Sequence, residues 1–197
     1  QLGVPFQNEI ISQARAAAIL TPEARSVIAI GGEDSFLILL DEGGGLRRVR
    51  IRDFAMNSLC AAGCGSFLDQ QASRLGINID EEFGELALES TNPARVAGRC
   101  SVFAKSDMIH LQQQAAPLRD IVAGLCFAFA RNFTAVLAQG KEVRPPVVFH
   151  GGVAANAGMV RAFREILGMD ETQFLVPEHA CTAGAIGAAL LAREQGA

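Results

Sequence analysis

The chain has 197 residues, of which half are hydrophobic and 19% are charged, and its formal net charge is −4. A chain of this length buries most of its apolar surface on folding and does not depend on disulfides for stability. The negative charge argues against a nucleic-acid or anionic-membrane surface, and the sequence contains neither an uninterrupted apolar run of about 18 residues nor the pattern of a secretory signal.

The N-terminal part of the chain is predicted to form one helix and three short strands. Residues 6–20 are rich in alanine and are typical of a helix, which ends at Thr21-Pro22-Glu23. Two short apolar runs predict strands, and an alternating run after a glycine-rich turn predicts a third strand that forms a hairpin with the second. The three predicted strands span residues 26–30, 36–40 and 47–52.

The rest of the chain is predicted to be mainly helical, with two further short strands. Apolar residues recur at helical spacing around residues 67–75 and, most clearly, from Leu118 to Leu137. Three antiparallel strands followed by alternating strands and helices indicate an α/β fold with a mixed sheet. The remaining predicted elements are a strand over 147–150, a helix over 159–167, a strand over 174–176 and a helix over 180–193.

Two glycine pairs follow buried strands at the end of the predicted sheet where ligands commonly bind. In Gly31-Gly32-Glu33-Asp34-Ser35 the glycines expose backbone N–H groups to phosphate, and Asp34 could hold a Mg²⁺-bound water. In Gly151-Gly152-Val153-Ala154-Ala155-Asn156 a helix start suits an anion or a nucleoside. An ordinary hairpin turn and a closely packed helix start explain the same motifs without a ligand. The small residues 183–188 predict a helix face that packs closely on a strand.

The five cysteines, an odd number, fit reduced thiols better than a disulfide framework. Cys60 and Cys64 flank a glycine-containing turn, and Cys100 precedes a predicted helix, where the dipole favours a thiolate. The cysteine runs of ferredoxins and structural zinc sites are absent, but two ligands per chain across a two-fold axis would complete a [4Fe–4S] cluster. The alternative is that these are small buried hydrophobic residues, as expected for Cys126 on the long helix. Cys181 has no obvious partner.

The combination of these motifs resembles the BadF/BadG/BcrA/BcrD ATPase family, which includes activators of 2-hydroxyacyl-CoA dehydratases and ATPase subunits of benzoyl-CoA reductase. The matching stretches are in the family's order. The two cysteine motifs are specific to this family, whereas the glycine motifs are shared with the wider actin-like superfamily. The stretches are Asn8-Glu9-Ile10, residues 30–35, Met56-Asn57 with residues 60–63, residues 99–104, residues 151–156 and residues 184–188.

The resemblance implies an actin-like ATPase with a ribonuclease-H-like core, in which two protomers share one [4Fe–4S] cluster. ATP with Mg²⁺ would change the helix geometry at the cluster and drive a low-potential electron to a partner reductase or dehydratase. The matching positions are Cys60 and Cys100 for the cluster ligands, Gly31 and Gly32 with Asp34 beside them for the second phosphate loop, and Gly151 and Gly152, in the motif that ends at Asn156, for the adenosine loop.

The chain departs from the usual pattern of the family in its phosphate-binding half. Ala29 stands where the family usually has Asp, Glu33 where it has Gln, Phe36 where it has Lys, and Cys64 where it has Thr. The first phosphate loop, an Asp-x-Gly-Ser turn, is missing. Because Glu33 adds negative charge beside the phosphates, the chain alone is expected to bind ATP weakly or not at all.

The resemblance also predicts the domain organisation. Since the chain begins at Gln1 in helix-like sequence, we expect the C-terminal part of an actin-like ATPase domain. The stretch from Ser66 to Leu88 most resembles long multidomain versions of the activator. In this interpretation residues 1–25 contain a linking helix. Residues 26–197 form a ribonuclease-H-like subdomain with inserted cluster-binding helices.

Two hypotheses for the function follow. In the first, the chain belongs to an ATP-dependent activator that passes low-potential electrons through a dimer-bridging [4Fe–4S] cluster to a 2-hydroxyacyl-CoA dehydratase or related reductase. In the second, it is a non-catalytic iron–sulfur-binding and dimerisation module whose ATPase function lies elsewhere or is lost. A sugar kinase is disfavoured because a kinase has no use for the cysteine motifs. We expect a cytoplasmic homodimer without a nucleic-acid or membrane partner.

Overall fold

A five-stranded mixed sheet forms the centre of the protein. The structure is a computed structural model and describes residues 6–41, 50–57, 63–98 and 100–196. The described strands are β1 (Ser26–Ile30), β2 (Ser35–Leu40), β3 (Ile51–Asn57), β4 (Val147–His150) and β5 (Phe174–Leu175).

The strand order is β3-β2-β1-β4-β5. β1, β2 and β3 pair antiparallel, whereas β1 with β4 and β4 with β5 pair parallel, so the predicted mixed sheet is confirmed. β1 and β4 are buried along their whole length, which is why their sequences are continuous apolar runs. Because these two strands are parallel neighbours, the chain leaves both at the same edge of the sheet.

The described residues form seven α-helices on the two faces of the sheet. α1 covers one face through Ala14 and Ala17, and the larger core on the other face contains the apolar residues of the long fifth helix and the sixth helix. The helices are α1 (Glu9–Leu20), α2 (Gly65–Leu75), α3 (Phe83–Glu89), α4 (Ser101–Gln113), α5 (Leu118–Leu137), α6 (Ala157–Leu167) and α7 (Ala183–Glu194).

Packed phenylalanine rings hold the larger core together. Phe163 of α6 lies 5.2 Å from Phe149 of β4 and 5.3 Å from Phe133 of α5, measured between ring centroids. Edge-to-face rings at this distance add to the free energy gained from burial alone. α6 and α5 are therefore fixed against β4, the strand that leads into the second glycine turn.

Most predicted elements are confirmed, and the differences have identifiable causes. The third strand, predicted over 47–52, is present and pairs antiparallel with β2 as expected. Its predicted end was wrong, because pairing with β2 up to Ser35 extends β3 to Asn57, and its predicted start lies outside the described residues. α3 was not predicted because it has only seven residues. The small residues 183–188 pack on helix α1 rather than on a strand, since a Cβ on Gly187 would meet the Ser12 carbonyl.

α5 is the one helix among the described residues that is long and apolar enough to cross a membrane, judged by length and composition alone. Of its most apolar window, 61% is buried inside the protein. Its apolar side chains, such as Leu125 and Phe129, lie in the larger core. The core therefore accounts for the composition of α5 without a membrane.

Candidate functional site

The two glycine turns lie side by side at the edge of the sheet where β1 and β4 end. Ala29 and His150 are register partners in the parallel pair of β1 and β4. The first turn begins two residues after Ala29, at Gly31, and the second begins one residue after His150, at Gly151. Gly151 has a φ of 89°, and a Cβ there would lie 2.2 Å from the Ile30 carbonyl oxygen. Only glycine allows the two backbones to come this close.

A cleft of about 490 Å³ opens beside the two turns, within the size range of small-molecule sites. Gly31, Gly32, Gly152 and Asn156 line it, so the structure brings together most of the residues predicted to bind the nucleotide. Gly151 lies behind them against β1. The cleft is closed on its other sides by the first turn of α2, by α3 and by the start of α6, which Asn156 caps through a 3.1 Å bond from Met159 N–H.

The part of the cleft lined by α2, α3 and the loop before α3 forms an acidic wall. It includes four carboxylates, and no Lys or Arg is found among the described residues that line it. Carboxylates accept hydrogen bonds from hydroxyl and amino groups but repel phosphate, so this wall is suited to the hydroxyl and amino groups of a ligand and not to its phosphates. These residues were not assigned to the site from the sequence, because α3 and the loop before it, neither of which was predicted, bring three of the four into place. They are Asp69, Asp80, Glu81 and Glu85.

A second cavity of about 410 Å³ lies on the other side of the same glycine turns, between them and helices α1 and α7. Glu9, at the start of α1, lines it. Partial burial and the nearby Asp34 carboxylate raise the pKa of Glu9. Asp34 therefore faces α1 and is not among the residues lining the larger cleft. Glu9 was not predicted to belong to the site, although it directly follows the helix cap Asn8 within a stretch that resembles the family, which was a usable signal.

His150, the last residue of β4, is buried between the sheet and α1. Its Nδ1 donates a 3.0 Å hydrogen bond to Gln13 Oε1, while Nε2 has no hydrogen-bond partner among the described residues. Burial lowers the pKa of His150 to about 4. The imidazole is therefore neutral at physiological pH. Its bond to Gln13 connects the end of β4, just before the second glycine turn, to α1.

Cys60, one of the two predicted cluster ligands, lies outside the described residues. The described chain ends before it at Asn57 and resumes after it at Gly63. These two residues are in close contact, since a Cβ on Gly63 would lie 2.3 Å from Asn57 Nδ2. The segment that contains Cys60 thus begins and ends at one place, at the edge of the sheet that carries the first glycine turn.

Cys100, the other predicted ligand, occupies the N-cap position of α4 and is partly exposed. The chain before it packs on α5, because a Cβ on Gly98 would lie 2.3 Å from the Ala128 carbonyl oxygen. The Asp107 carboxylate accepts a 2.8 Å hydrogen bond from Ala97 N–H. The approach to Cys100 is therefore fixed by backbone packing.

The other cysteines occupy different environments. Cys64 is buried with its Sγ 3.1 Å from Ser66 Oγ. Cys126 is fully buried and burial raises its pKa to about 12, which confirms the prediction that it is a core residue. Cys181 is exposed. Within the described ranges no three His, Cys, Asp or Glu side chains are arranged to hold a metal ion, so a cluster bound to Cys100 requires ligands from outside this set.

A mixed sheet of this order, with glycine turns beside a nucleotide-sized cleft, defines an actin-like ATPase fold. Two solved structures share it, each with a TM-score of 0.86. One is the activator of the 2-hydroxyisocaproyl-CoA dehydratase from Clostridium difficile with bound ADPNP, which is 35% identical and matches 95% of this chain and 66% of its own. The other is component A of the (R)-2-hydroxyglutaryl-CoA dehydratase from Acidaminococcus fermentans, which is 33% identical. That match covers 96% of this chain and 69% of component A.

The chain belongs to the BadF/BadG/BcrA/BcrD ATPase family, which it matches over residues 4–192. It is also similar to the curated 2-hydroxyisocaproyl-CoA dehydratase activator of Clostridioides difficile, with 37% identity over 189 residues. That match covers 95% of this chain and 67% of the relative. The chain thus spans about two thirds of the length of these relatives, and the resemblance drawn from the motifs is confirmed.

Proposed function

We propose that this chain is part of an ATP-dependent activator that passes low-potential electrons through a dimer-bridging [4Fe–4S] cluster to a 2-hydroxyacyl-CoA dehydratase or related reductase. One observation carries the proposal: the segment that contains Cys60 begins and ends beside the glycine turn that lines the cleft. Nucleotide chemistry and cluster chemistry would therefore share one edge of the sheet. The names of the relatives, which are dehydratase activators, support the same function.

The nucleotide would lie in the larger cleft. Its phosphates would meet the backbone at Gly31 and Gly32, and a Cβ on Gly32 would have no neighbour within 4 Å, so this turn is open to a ligand. Its nucleoside would meet Gly152 and Asn156 and the acidic wall. The relative solved with bound ADPNP supports this assignment.

Asp34, with Glu9, lies on the α1 side of the first glycine turn and not in the larger cleft, so its proposed catalytic role requires phosphates that extend past this turn. Burial and, after it, the charge of the Asp34 carboxylate raise the pKa of Glu9, and Mg²⁺ in nucleotide sites is held by one or two carboxylates, phosphates and several waters. The pair is thus suited to hold a metal-bound water or to accept a proton from the attacking water. Ala29, fully covered by α1, takes no part.

Cys60 and Cys100 would hold the cluster, two ligands from each protomer of a homodimer. A [4Fe–4S] cluster supplies one-electron transfer at low potential when bound. Cys100 fits such a ligand because it is partly exposed at the N-terminus of α4. The partner dehydratase or reductase would dock on the surface of the dimer closest to the cluster. We propose that this takes place in the cytoplasm.

Binding of ADPNP with Mg²⁺, measured by calorimetry, tests the nucleotide site. Gly32→Val should fold, because the space around Gly32 is open, and should weaken binding about tenfold or more, a loss of about 1.4 kcal/mol. The matched control Ser73→Val, on the exposed face of α2, should bind like the wild type. Absence of binding by the wild type at millimolar nucleotide would contradict the ATPase part of the proposal.

Anaerobic reconstitution with iron and sulfide tests the cluster. Iron bound per dimer should be lost in Cys60→Ser and Cys100→Ser and retained in Cys126→Ser, whose thiol is sealed in the core. Cys64→Ser should also retain iron, since Cys64 is buried beside Ser66. A cluster that survives either of the first two substitutions would refute the ligand assignment.

The second candidate function is a non-catalytic iron–sulfur-binding and dimerisation module. It is favoured by one observation: Glu33, an exposed carboxylate, directly follows the glycine pair of the phosphate turn and would repel phosphate there. Reconstitution of the cluster combined with no nucleotide binding would favour this function over the first.

A further inference from the structure

A buried amide on α1 connects Glu9 to the end of β4. Gln13 is 6% exposed and lies one helical turn after Glu9, on the same face of α1. Its Oε1 accepts the 3.0 Å hydrogen bond from His150 Nδ1, and its side chain also forms a hydrogen bond with the Glu9 carboxylate. Because an ionised carboxylate only accepts hydrogen bonds, Gln13 Nε2 is the donor in this second bond.

The neighbours of Gln13 fix the direction in which its amide points. Neutral His150 donates its ring N–H to Oε1, which leaves the NH2 group of Gln13 on the side of Glu9. Helix α7 passes close to this group, since a Cβ on Gly184 would lie 2.9 Å from Gln13 Nε2. A reversed amide would turn its oxygen toward the Glu9 carboxylate and its NH2 group toward the His150 N–H. Both hydrogen bonds therefore select the same orientation.

Glu9 needs such a partner because other forces favour a different position of its carboxylate. The Asp34 carboxylate repels it, and Glu9 is an exposed residue at the start of α1, so its side chain is free to turn into water and gain rotamer entropy. Gln13 is buried and held from the other side by His150. Its hydrogen bond therefore opposes this movement and keeps Glu9 at the second cavity, which Glu9 and Gln13 both line.

We infer that Gln13 is a positioning residue for the proposed reaction: it holds the Glu9 carboxylate at the second cavity, while His150 fixes the orientation of its amide. The inference rests on the proposed function, in which Glu9 and Asp34 act on phosphates that extend past the first glycine turn. Gln13 acts through Glu9 and is not among the described residues that line the larger cleft. Its substitution should therefore lower the rate of hydrolysis and leave nucleotide affinity unchanged.

Steady-state ATP hydrolysis, measured beside the affinity for ADPNP with Mg²⁺, tests this separation. Gln13→Met keeps a long, unbranched side chain without an N–H donor, and should lower kcat about tenfold or more with an affinity within about twofold of the wild type. His150→Phe should lower kcat in the same way, whereas His150→Asn, which keeps an N–H donor, should restore most of the loss. The matched control Thr21→Val, which replaces another buried polar side chain at the opposite end of α1, should keep the wild-type kcat.

Exchange of the Gln13 NH2 protons with water, followed by NMR, tests the bond itself and does not depend on activity. It should become about threefold faster or more in Glu9→Ala, which removes the acceptor at an exposed position, and should not change in Thr21→Val.

Wild-type kcat in Gln13→Met overturns the inference, even where stability or nucleotide affinity falls, because Gln13 then has only a structural role. Exchange in Glu9→Ala as slow as in the wild type also overturns it, and this result is available if Gln13→Met does not fold. A wild type that binds nucleotide but does not hydrolyse ATP overturns the proposed reaction instead, and the exchange measurement then decides whether Gln13 holds Glu9.

Discussion

His150 shows how a single side chain beneath the glycine turns makes stability depend on pH. Its pKa is lowered from 6.5 to about 4 because burial penalises the charged ring. The unfolded chain therefore takes up a proton between about pH 6.5 and pH 4 while the folded protein does not. Stability from the neutral imidazole is complete above pH 6.5 and is lost as the pH falls through this range.

We expect this loss to reach about 3 kcal/mol by pH 4, from 1.36 kcal/mol for each pKa unit. Urea unfolding of the wild type and of His150→Asn, between pH 7.5 and pH 4, measures it. The Asn variant keeps an amide donor near the position of Nδ1 but does not titrate. Between pH 7.5 and pH 4 its free energy of unfolding should therefore fall by about 3 kcal/mol less than that of the wild type. Parallel pH curves for the two proteins would rule out the assignment.

The cysteines should separate by reactivity in the cluster-free protein. Iodoacetamide should modify exposed Cys181 and partly exposed Cys100 in the folded state, and should leave buried Cys64 and Cys126 unmodified until the chain unfolds. Cys126 has the strongest protection because its raised pKa also keeps it protonated. Peptide mass spectrometry after timed labelling checks this order, and early labelling of Cys126 would show that the core around α5 is open.

Only some residues of the site could be predicted from the sequence. Both glycine pairs were predicted because a turn that brings two backbones into close contact requires glycine. The residue type alone is therefore a signal that can be read from the sequence. Glu9 and the acidic wall were missed because their neighbours are distant along the chain: Glu9 meets Asp34 only when α1 packs on the sheet, and Glu85 reaches the cleft only through α3.

At the scale of elements, the contact of α1 with α7 depends on the absence of a side chain. A Cβ on Gly187 would lie 1.8 Å from the Ser12 carbonyl oxygen, whereas a Cβ on Gly184 would meet only the flexible end of Gln13, at 2.9 Å. A backbone atom cannot move aside as the end of a side chain can. Adding a methyl group should therefore destabilise the protein more at Gly187 than at Gly184.

Gly187→Ala should therefore destabilise the protein by about 3 kcal/mol or more, and Gly184→Ala by about 1 kcal/mol or less. Thermal or urea unfolding of the two variants compares them directly, with each serving as the control for the other. Equal losses in both would mean that helix propensity, not the approach of α7 to α1, dominates at these positions.

Elements with a strong internal pattern were predicted to the residue, and elements defined by their neighbours were not. β1, β4 and α5 coincide with their apolar runs, because burial on all sides leaves a continuous signal. The end of β3 depends on pairing with β2, and α3 depends on α5 and α6, against which it packs. Such tertiary causes leave no periodic trace in a single sequence.

At the scale of the whole molecule, the first turn of α4 bears on the proposed dimer. Val102 and Phe103, which follow Cys100 directly, are 66% and 65% exposed. If Cys100 binds a cluster shared by two protomers, these side chains lie within one helical turn of the two-fold axis. Large apolar residues in that position are suited to contact the second copy.

Phe103→Asp should therefore weaken the reconstituted dimer about tenfold or more, which corresponds to 1.4 kcal/mol. Ile19→Asp, at an apolar position on α1 that is 38% exposed, serves as the control and should dimerise like the wild type. Sedimentation at several protein concentrations measures both. A normal dimer in the Phe103 variant would place the interface elsewhere.

The close packing before α4 has a consequence for how chains of this family can change length. A Cβ on Gly124 would lie 2.2 Å from the Ala94 carbonyl oxygen, and Gly98 touches Ala128 in the same way, so residues 94–98 follow α5 backbone to backbone at two points. An inserted or deleted residue there would break both contacts and shift Cys100. Insertions that persist in evolution should therefore fall outside this stretch, and the distance in sequence from α3 to Cys100 should vary only upstream of Ala94.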